Sequence, residues 1–172
     1  MAIDVRPARP EEYEEAGRVT ALAYREFVPP GDTDFEEYLE RIADVPERAR
    51  RTAVLVAVES GRILGSVTLE LESRTEADDE PLAPDRAHVR MLGVHPEARR
   101  RGVASSLMDA CVERARAAGK TRMTLNTTER MTAAQRMYES MGFERVPDRV
   151  FPDGFRLLGY ELPLDRAPAD RL

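Results

Sequence analysis

The stretch "HVRMLGVHPEARRRGVASSLMDACVERARAAG", residues 88–119, carries three elements in order. "HVRMLGV" is short, apolar and rich in strand formers, and Pro96 stops it. From Val103 the period changes: Val103, Leu107, Cys111 and Ala115 recur every fourth residue, and Gly119 suits a helix C-terminus. Between strand and helix lies "PEARRRGVAS", residues 96–105, with three arginines against a glycine. It reads either as a solvated basic turn or as a cradle for an anion. A helix start offers unpaired N–H groups and the positive end of the helix dipole. Gly102 lets the preceding loop fold its N–H groups into a concave nest, and the small Val103 and Ala104 let an anion come close. Arginine adds bidentate contacts to phosphate oxygens. No Gly-Lys-Ser/Thr follows, so this is not a P-loop, and the three-glycine dinucleotide pattern is absent. Gly93, inside the strand, marks a bulge or a close approach by another backbone. Such a strand could pair with an extended, amide-bearing ligand.

Working outward, Ile3 to Arg6 reads as a strand, and Tyr13, Ala16, Val19, Ala23 and Phe27 recur at helical spacing. "VPPGDTD" breaks that helix. A second one carries Phe35, Tyr38, Leu39 and Ile42 on one face, and Pro46 kinks or divides it. "TAVLVAVE" and "ILGSVTLELES" are strands across a tight "SGR" turn. After the central stretch come a strand "TRMTLNT", a helix "TAAQRMYESMG" and two closing strands around a Pro-Asp-Gly turn. Helices alternate with strands, yet hairpin-like pairs sit in the middle and at the end. That pattern predicts an α/β (α+β) fold with a mixed, mostly antiparallel sheet of about seven strands flanked by about four helices. One domain is expected over 1–164, with a frayed tail at 165–172.

The 172 residues suffice for one domain with a real core. Hydrophobic residues at 42% and charged residues at 34% fit a soluble globular protein. No apolar run approaches the ~20 residues of a membrane span. The opening "MAIDVR" has no basic region followed by an apolar stretch, so no signal peptide is expected. With Cys111 as the sole cysteine and no disulfide available, a cytoplasmic location is expected. A formal net charge of −6 argues against a general nucleic-acid binder.

The central stretch resembles the GNAT superfamily of acyl-CoA-dependent N-acyltransferases. Its Gln/Arg-x-x-Gly-x-Gly/Ala signature is met by Arg99, Gly102 and Ala104. The later "AAQRMYESMGF" is similar to the family's Ala-x-x-x-Tyr-x-x-x-Gly-Phe segment through Ala134, Tyr138, Gly142 and Phe143. The resemblance implies direct acetyl transfer from acetyl-CoA to an amine, with no metal. Backbone groups of Leu92, Gly93 and Val94 would pair with the pantetheine arm. N–H groups of Arg100, Arg101, Gly102, Val103, Ala104 and Ser105 would cradle the pyrophosphate, with Arg99 and Arg101 supplying charge. The N–H of Val94 would serve the oxyanion. A homodimer is compatible with the family.

Such a transfer needs a neutral amine, a donor for the tetrahedral oxyanion and a proton for the departing thiolate. By the resemblance Tyr138 is the general acid; by helical spacing alone it packs with Ala134 and Met141. His88 stands where some members carry a basic glutamate, and an ordinary imidazole pKa near ~6.5 suits that role. His88, Arg90 and Leu92 share strand parity unless a bulge shifts it. Asn126 stands where other members place a glutamate base, so Glu70 and Glu72 are the reserves. Met131 replaces an asparagine that in many members contacts CoA. Cys111 reads as a buried thiol and His95 as a structural loop residue. Phe27, Val28, Phe35 and Tyr38 are candidates for an acceptor pocket or for core, and "EADDE", residues 76–80, for attracting a cationic amine. Two other readings stand beside the enzyme: an acyl-CoA-binding sensor of the same fold, and a nucleic-acid-binding regulator using "ERARR" and "ARRR".

Overall fold

In the computed structural model, residues 2–28, 31–76 and 78–165 are described. The tail expected at 165–172 lies outside them from residue 166 onward, as do Pro29, Pro30 and Ala77 of the two loops. The strands are β1 (Asp4–Pro7), β2 (Ala53–Glu59), β3 (Arg62–Glu70), β4 (Arg86–Val94), β5 (Arg122–Thr128), β6 (Glu144–Val150) and β7 (Arg156–Pro163). They form one sheet in the order β1-β2-β3-β4-β5-β7-β6. Every neighbouring pair is antiparallel except β4 and β5. The helices are α1 (Tyr13–Arg25), α2 (Thr33–Ala43), α3 (Val45–Ala49), α4 (Val103–Ala117) and α5 (Thr132–Ser140).

The expected mixed sheet is present, with five α-helices among the described residues where about four were expected. The extra one comes from Pro46. Asp44 accepts the N–H of Glu47 and restarts the chain as α3, with the proline at a helix start, where its missing N–H costs nothing.

β2 shows why its sequence reads as an unbroken apolar run. Val54, Val56 and Val58 pack with Ala16, Val19 and Val45 on the α1–α3 side. Leu55 and Ala57 pack into the main core with Leu107 and Cys111 of α4. The strand is covered on both faces, so alternation is lost. Helices α1 to α3 therefore lie on one face, and α4 and α5 on the other. β4 runs between them at the centre of the sheet.

Candidate active site

β4 pairs with β5 only from Arg86↔Arg122 to Val89↔Leu125. Beyond that point β5 continues on β7 and β4 on β3, so the β5-facing edge of residues 90–94 has no strand partner. The cause is a bulge. Ser66 and Thr68 of β3 face Gly93 and Arg90, so β4 holds one residue more than β3 there. Met91 absorbs it with φ of 53°, a left-handed conformation uncommon outside glycine. The extra residue flips the strand's alternation. Val89, Leu92 and Val94 all contact the core on the α4 side, whereas Met91 packs with Leu39 and Ile42 of α2. The parity of His88, Arg90 and Leu92 is thus broken at the bulge, and Leu92 turns away. The bulge itself sits at Met91, two residues before Gly93. Gly93 is glycine because α1 crosses it: a Cβ there would lie 3.1 Å from the Ala23 Cβ and 3.2 Å from the Thr20 Cα.

At the end of β4, the His95 N–H bonds to Leu64 O at 2.7 Å, and the His95 Nδ1 accepts the N–H of Glu97 at 3.1 Å. His95 is thus a cap for the turn at Pro96–Ala98. Arg100 and Gly102 then take left-handed conformations, φ 63° and 78°. Space does not require the glycine, since a Cβ at 102 would meet nothing within 4 Å; the backbone angle does. α4 begins with no side-chain cap. The N–H groups of residues 100–105 have no hydrogen-bond partner among the described residues. Six donors at the positive end of a 15-residue helix form a seat for an anion. Two loop arginines are already engaged, Arg99 with Glu26 and Arg101 with Glu59. Both arginine side chains are more than 40% exposed (44% and 42%), so these pairs are weak and open to competition by phosphate.

Tyr138 of α5 is buried on the α4 side, with ring centroids 5.7 Å from Phe143 and 5.9 Å from Tyr160. Its hydroxyl makes no hydrogen bond to a described residue. Burial, with Cys111 and Tyr160 nearby, raises the phenol well above its ordinary pKa. Burial also pushes the Cys111 thiol up to about 12, which leaves it inert at neutral pH.

On the other side of the split strands is a cavity of about 960 Å³. It is lined by the end of α1, by α2, by His88–Met91 of β4, by Asn126–Met131 and by the β6–β7 loop. His88, Asn126 and Met131 meet here; Tyr138 is not in this lining. Phe27, Val28, Phe35 and Tyr38 line it too. Met131 accepts the Thr127 hydroxyl on its sulfur at 3.4 Å.

His88 differs from its expected chemistry. Its Nδ1 lies 2.7 Å from the Thr124 Oγ1. Burial, then Arg74, Arg90 and Arg86, pull the imidazole down to about 3. It is neutral near pH 7 and a poor proton acceptor, so the ordinary value near ~6.5 does not describe it. Unfolding releases it to that ordinary value. Between ~6.5 and about 3 the unfolded chain therefore binds a proton that the folded chain refuses. The contribution is complete above pH ~6.5 and is lost as pH falls toward 3. Denaturant unfolding from pH 6.5 to 4.5 should show stability dropping by up to ~1.4 kcal/mol per pH unit, a slope His88→Gln should flatten.

Neither glutamate reserve lines the cavity, although Glu70 faces His88 across the β3–β4 pairing. Glu70 is fully buried, bonded by Arg74 at 3.0 Å and by the Thr75 N–H. Glu72 points outward beside Lys120 at 3.5 Å. The acidic loop is not free to draw in cations through Asp79, which bonds Arg90 at 2.6 Å and lies 3.7 Å from Arg74.

The sequence model for the acetyltransferase (GNAT) family matches residues 17–143, which include the bulged strand, the arginine loop and Tyr138. The chain belongs to the GNAT family. Solved structures share its fold across nearly the whole chain. One is the ribosomal-protein-S18-alanine N-acetyltransferase of Escherichia coli, at 16% identity, covering 96% of each chain, TM-score 0.68. Another is yncA, a putative acetyltransferase of Salmonella typhimurium solved with its cofactor acetyl-CoA, at 20% identity, covering 97% of this chain and 96% of that one, TM-score 0.70. A third is the paia N-acetyltransferase of Thermoplasma acidophilum in complex with coenzyme A, at 15% identity, covering 94% and 100%, TM-score 0.71. No curated protein matches the sequence. Within this GNAT domain no group of three His, Cys, Asp or Glu could hold a metal ion among the described residues. Nor is any described helix long and apolar enough to cross a membrane.

Two features of this GNAT site escaped sequence reading. One is the position of the expected bulge, at Met91, whose residue type gives no hint of a left-handed backbone. The other is the Arg74–Arg90–Glu70–Asp79 cluster beside His88, assembled from the end of β3, the irregular loop after it and β4.

Proposed function

We propose that this chain transfers an acetyl group from acetyl-CoA to a primary amine by direct attack within a ternary complex. The observation that carries this reading is the row of unpartnered N–H groups at residues 100–105, standing at the end of a strand whose neighbouring edge is open. Gly102 φ and the uncapped α4 suit a pyrophosphate. The open edge of residues 90–94 suits the amide-bearing pantetheine arm. There Leu92, Gly93 and Val94 offer backbone groups, and the Val94 N–H is assigned to the oxyanion. Arg99 and Arg101 exchange Glu26 and Glu59 for phosphate oxygens. Tyr138 gives its proton to the departing thiolate.

His88 is assigned a different part from the general base. Its neutral ring positions, by hydrogen bonding, a water or amine at the cavity wall. The acceptor ammonium gives its proton to cavity water first, and the neutral amine then attacks the thioester.

Thermal unfolding tests the cofactor seat. Acetyl-CoA at a hundred times its Kd should stabilise the fold by ~2.7 kcal/mol, a shift of roughly 5–10 °C for a domain this size. Arg101→Glu should remove most of that shift. No shift at millimolar acetyl-CoA would overturn the assignment.

A further inference from the structure

One buried cation on the cavity side of the sheet makes no direct ion pair among the described residues. Arg48 of α3 is 2% exposed. Its Nε donates to the Thr68 Oγ1 at 3.0 Å and its Nη1 to the Arg41 carbonyl at 3.1 Å. Its Nη2 is buried with no partner among the described residues. Burial lowers the guanidinium to about 10, which still leaves it charged at neutral pH. A buried charge without a counter-ion is costly and normally paired. The neighbouring arginines are paired: Arg74 and Arg90 share Glu70 and Asp79. Arg48 is not. Asp44 is near enough to favour its charge, but that carboxylate caps α3 through the Glu47 N–H.

The groups that sense Arg48 line the cavity. Tyr38, Tyr24 and Arg90 are its other electrostatic neighbours, and all three face the 960 Å³ space. The hydroxyls of Tyr24 and Tyr38 make no hydrogen bond to a described residue. Arg41, also in the lining, rests on the Tyr38 ring at 5.4 Å and has no carboxylate partner among the described residues. This wall offers two phenolic donors and an arginine, with a positive charge in no direct ion pair behind them. Asp32 and Asp34 line the cavity as well, but at the other end of α2, about 10 Å along the helix from Arg41.

We propose that the α1–α2 wall of the cavity is a carboxylate subsite, and that the acceptor is an amine bearing a carboxylate, held by Tyr24, Tyr38 and Arg41 against the charge of Arg48. This rests on the cavity being the acceptor site of the transfer proposed above. A cationic amine with no acid group is disfavoured at that wall.

The test is the initial rate of CoA release with the α-amino acids and their carboxamides, in matched pairs. The preferred acceptor should lose at least tenfold in kcat/KM when its carboxylate becomes an amide. Tyr38→Phe and Arg41→Gln should each raise KM for the acid several-fold, moving the acid-to-amide ratio toward one, with acetyl-CoA affinity retained. Arg48→Gln should erase the preference; because Arg48 also ties α2 to β3, the Tyr38 and Arg41 variants decide if it unfolds. Equal turnover of acid and amide, or a preference for polyamines, overturns the proposal. If acetyl-CoA binds and no amine turns over, the transfer reading fails by itself. Calorimetry of the amino acids into the acetyl-CoA complex then decides the subsite: heat that vanishes on amidation supports it, and absence of heat with every acid overturns it.

Discussion

Gly17→Ala should lower the melting temperature by roughly 6–12 °C, although helix propensity alone predicts the opposite sign. Gly17 lies inside α1, where alanine is intrinsically favoured by about 1 kcal/mol. The Cβ that alanine adds would lie 2.1 Å from the Ala43 carbonyl oxygen and 2.8 Å from its carbon. Both are backbone atoms at the end of α2, so no side-chain rotation relieves the contact. The two helices must separate, and the loss is that of an overpacked interior, about 3 kcal/mol. At ~2–4 °C per kcal/mol for a domain of this length, the stated shift follows. Function should respond in a specific way. α1 and α2 wall the cavity, whereas the seat at 100–105 stands on β4 and α4. Below the new melting point the variant should therefore keep acetyl-CoA binding and show a raised KM for the amine. A variant as stable as the parent would mean that α2 yields without cost.

The same glycine illustrates what a sequence displays and what it hides. The alternation of strands and helices was legible because it follows from local periods: every fourth residue in α4, an apolar run in β2, a proline or glycine at most of the breaks. The loop proposed as an anion seat drew attention because glycine and arginine advertise backbone freedom and charge. Gly17 was not legible, because its reason is a helix that arrives from elsewhere in the chain. Gly93 was read as a bulge or a close backbone approach; the approach holds, with α1 crossing it, while Met91 carries the left-handed angle. His88 drew attention through its ordinary pKa, which three arginines and burial then displace. Two of those arginines are near it in the chain and one, Arg74, comes from the loop after β3. Long-range packing sets each of these, and no local spacing encodes it. Tyr138 drew attention as a candidate acid only through the family resemblance; its helical spacing spoke for packing, and it does pack.

Tyr138→Phe should lower kcat by about a hundredfold or more, the range expected when one positioned acid is removed. The fold should not suffer. The hydroxyl has no hydrogen-bond partner among the described residues, so its removal strands no buried group, and the ring contacts with Phe143 and Tyr160 remain. Melting temperature and acetyl-CoA affinity should therefore match the parent. This separates a catalytic loss from a structural one. The raised phenol pKa adds a second signature. A tyrosine that stays protonated far above neutral pH can donate over the whole working range. The alkaline limb of the parent's kcat profile should then come from another group, and Tyr138→Phe should lower the profile without moving that limb. A buried phenol is a weaker acid than a free one, which suits a partner whose basicity appears only as the thioester breaks. The proton then moves late, to sulfur, as the tetrahedral intermediate collapses. Unchanged kcat in the variant would remove Tyr138 from the reaction and leave it as packing between α5 and β7.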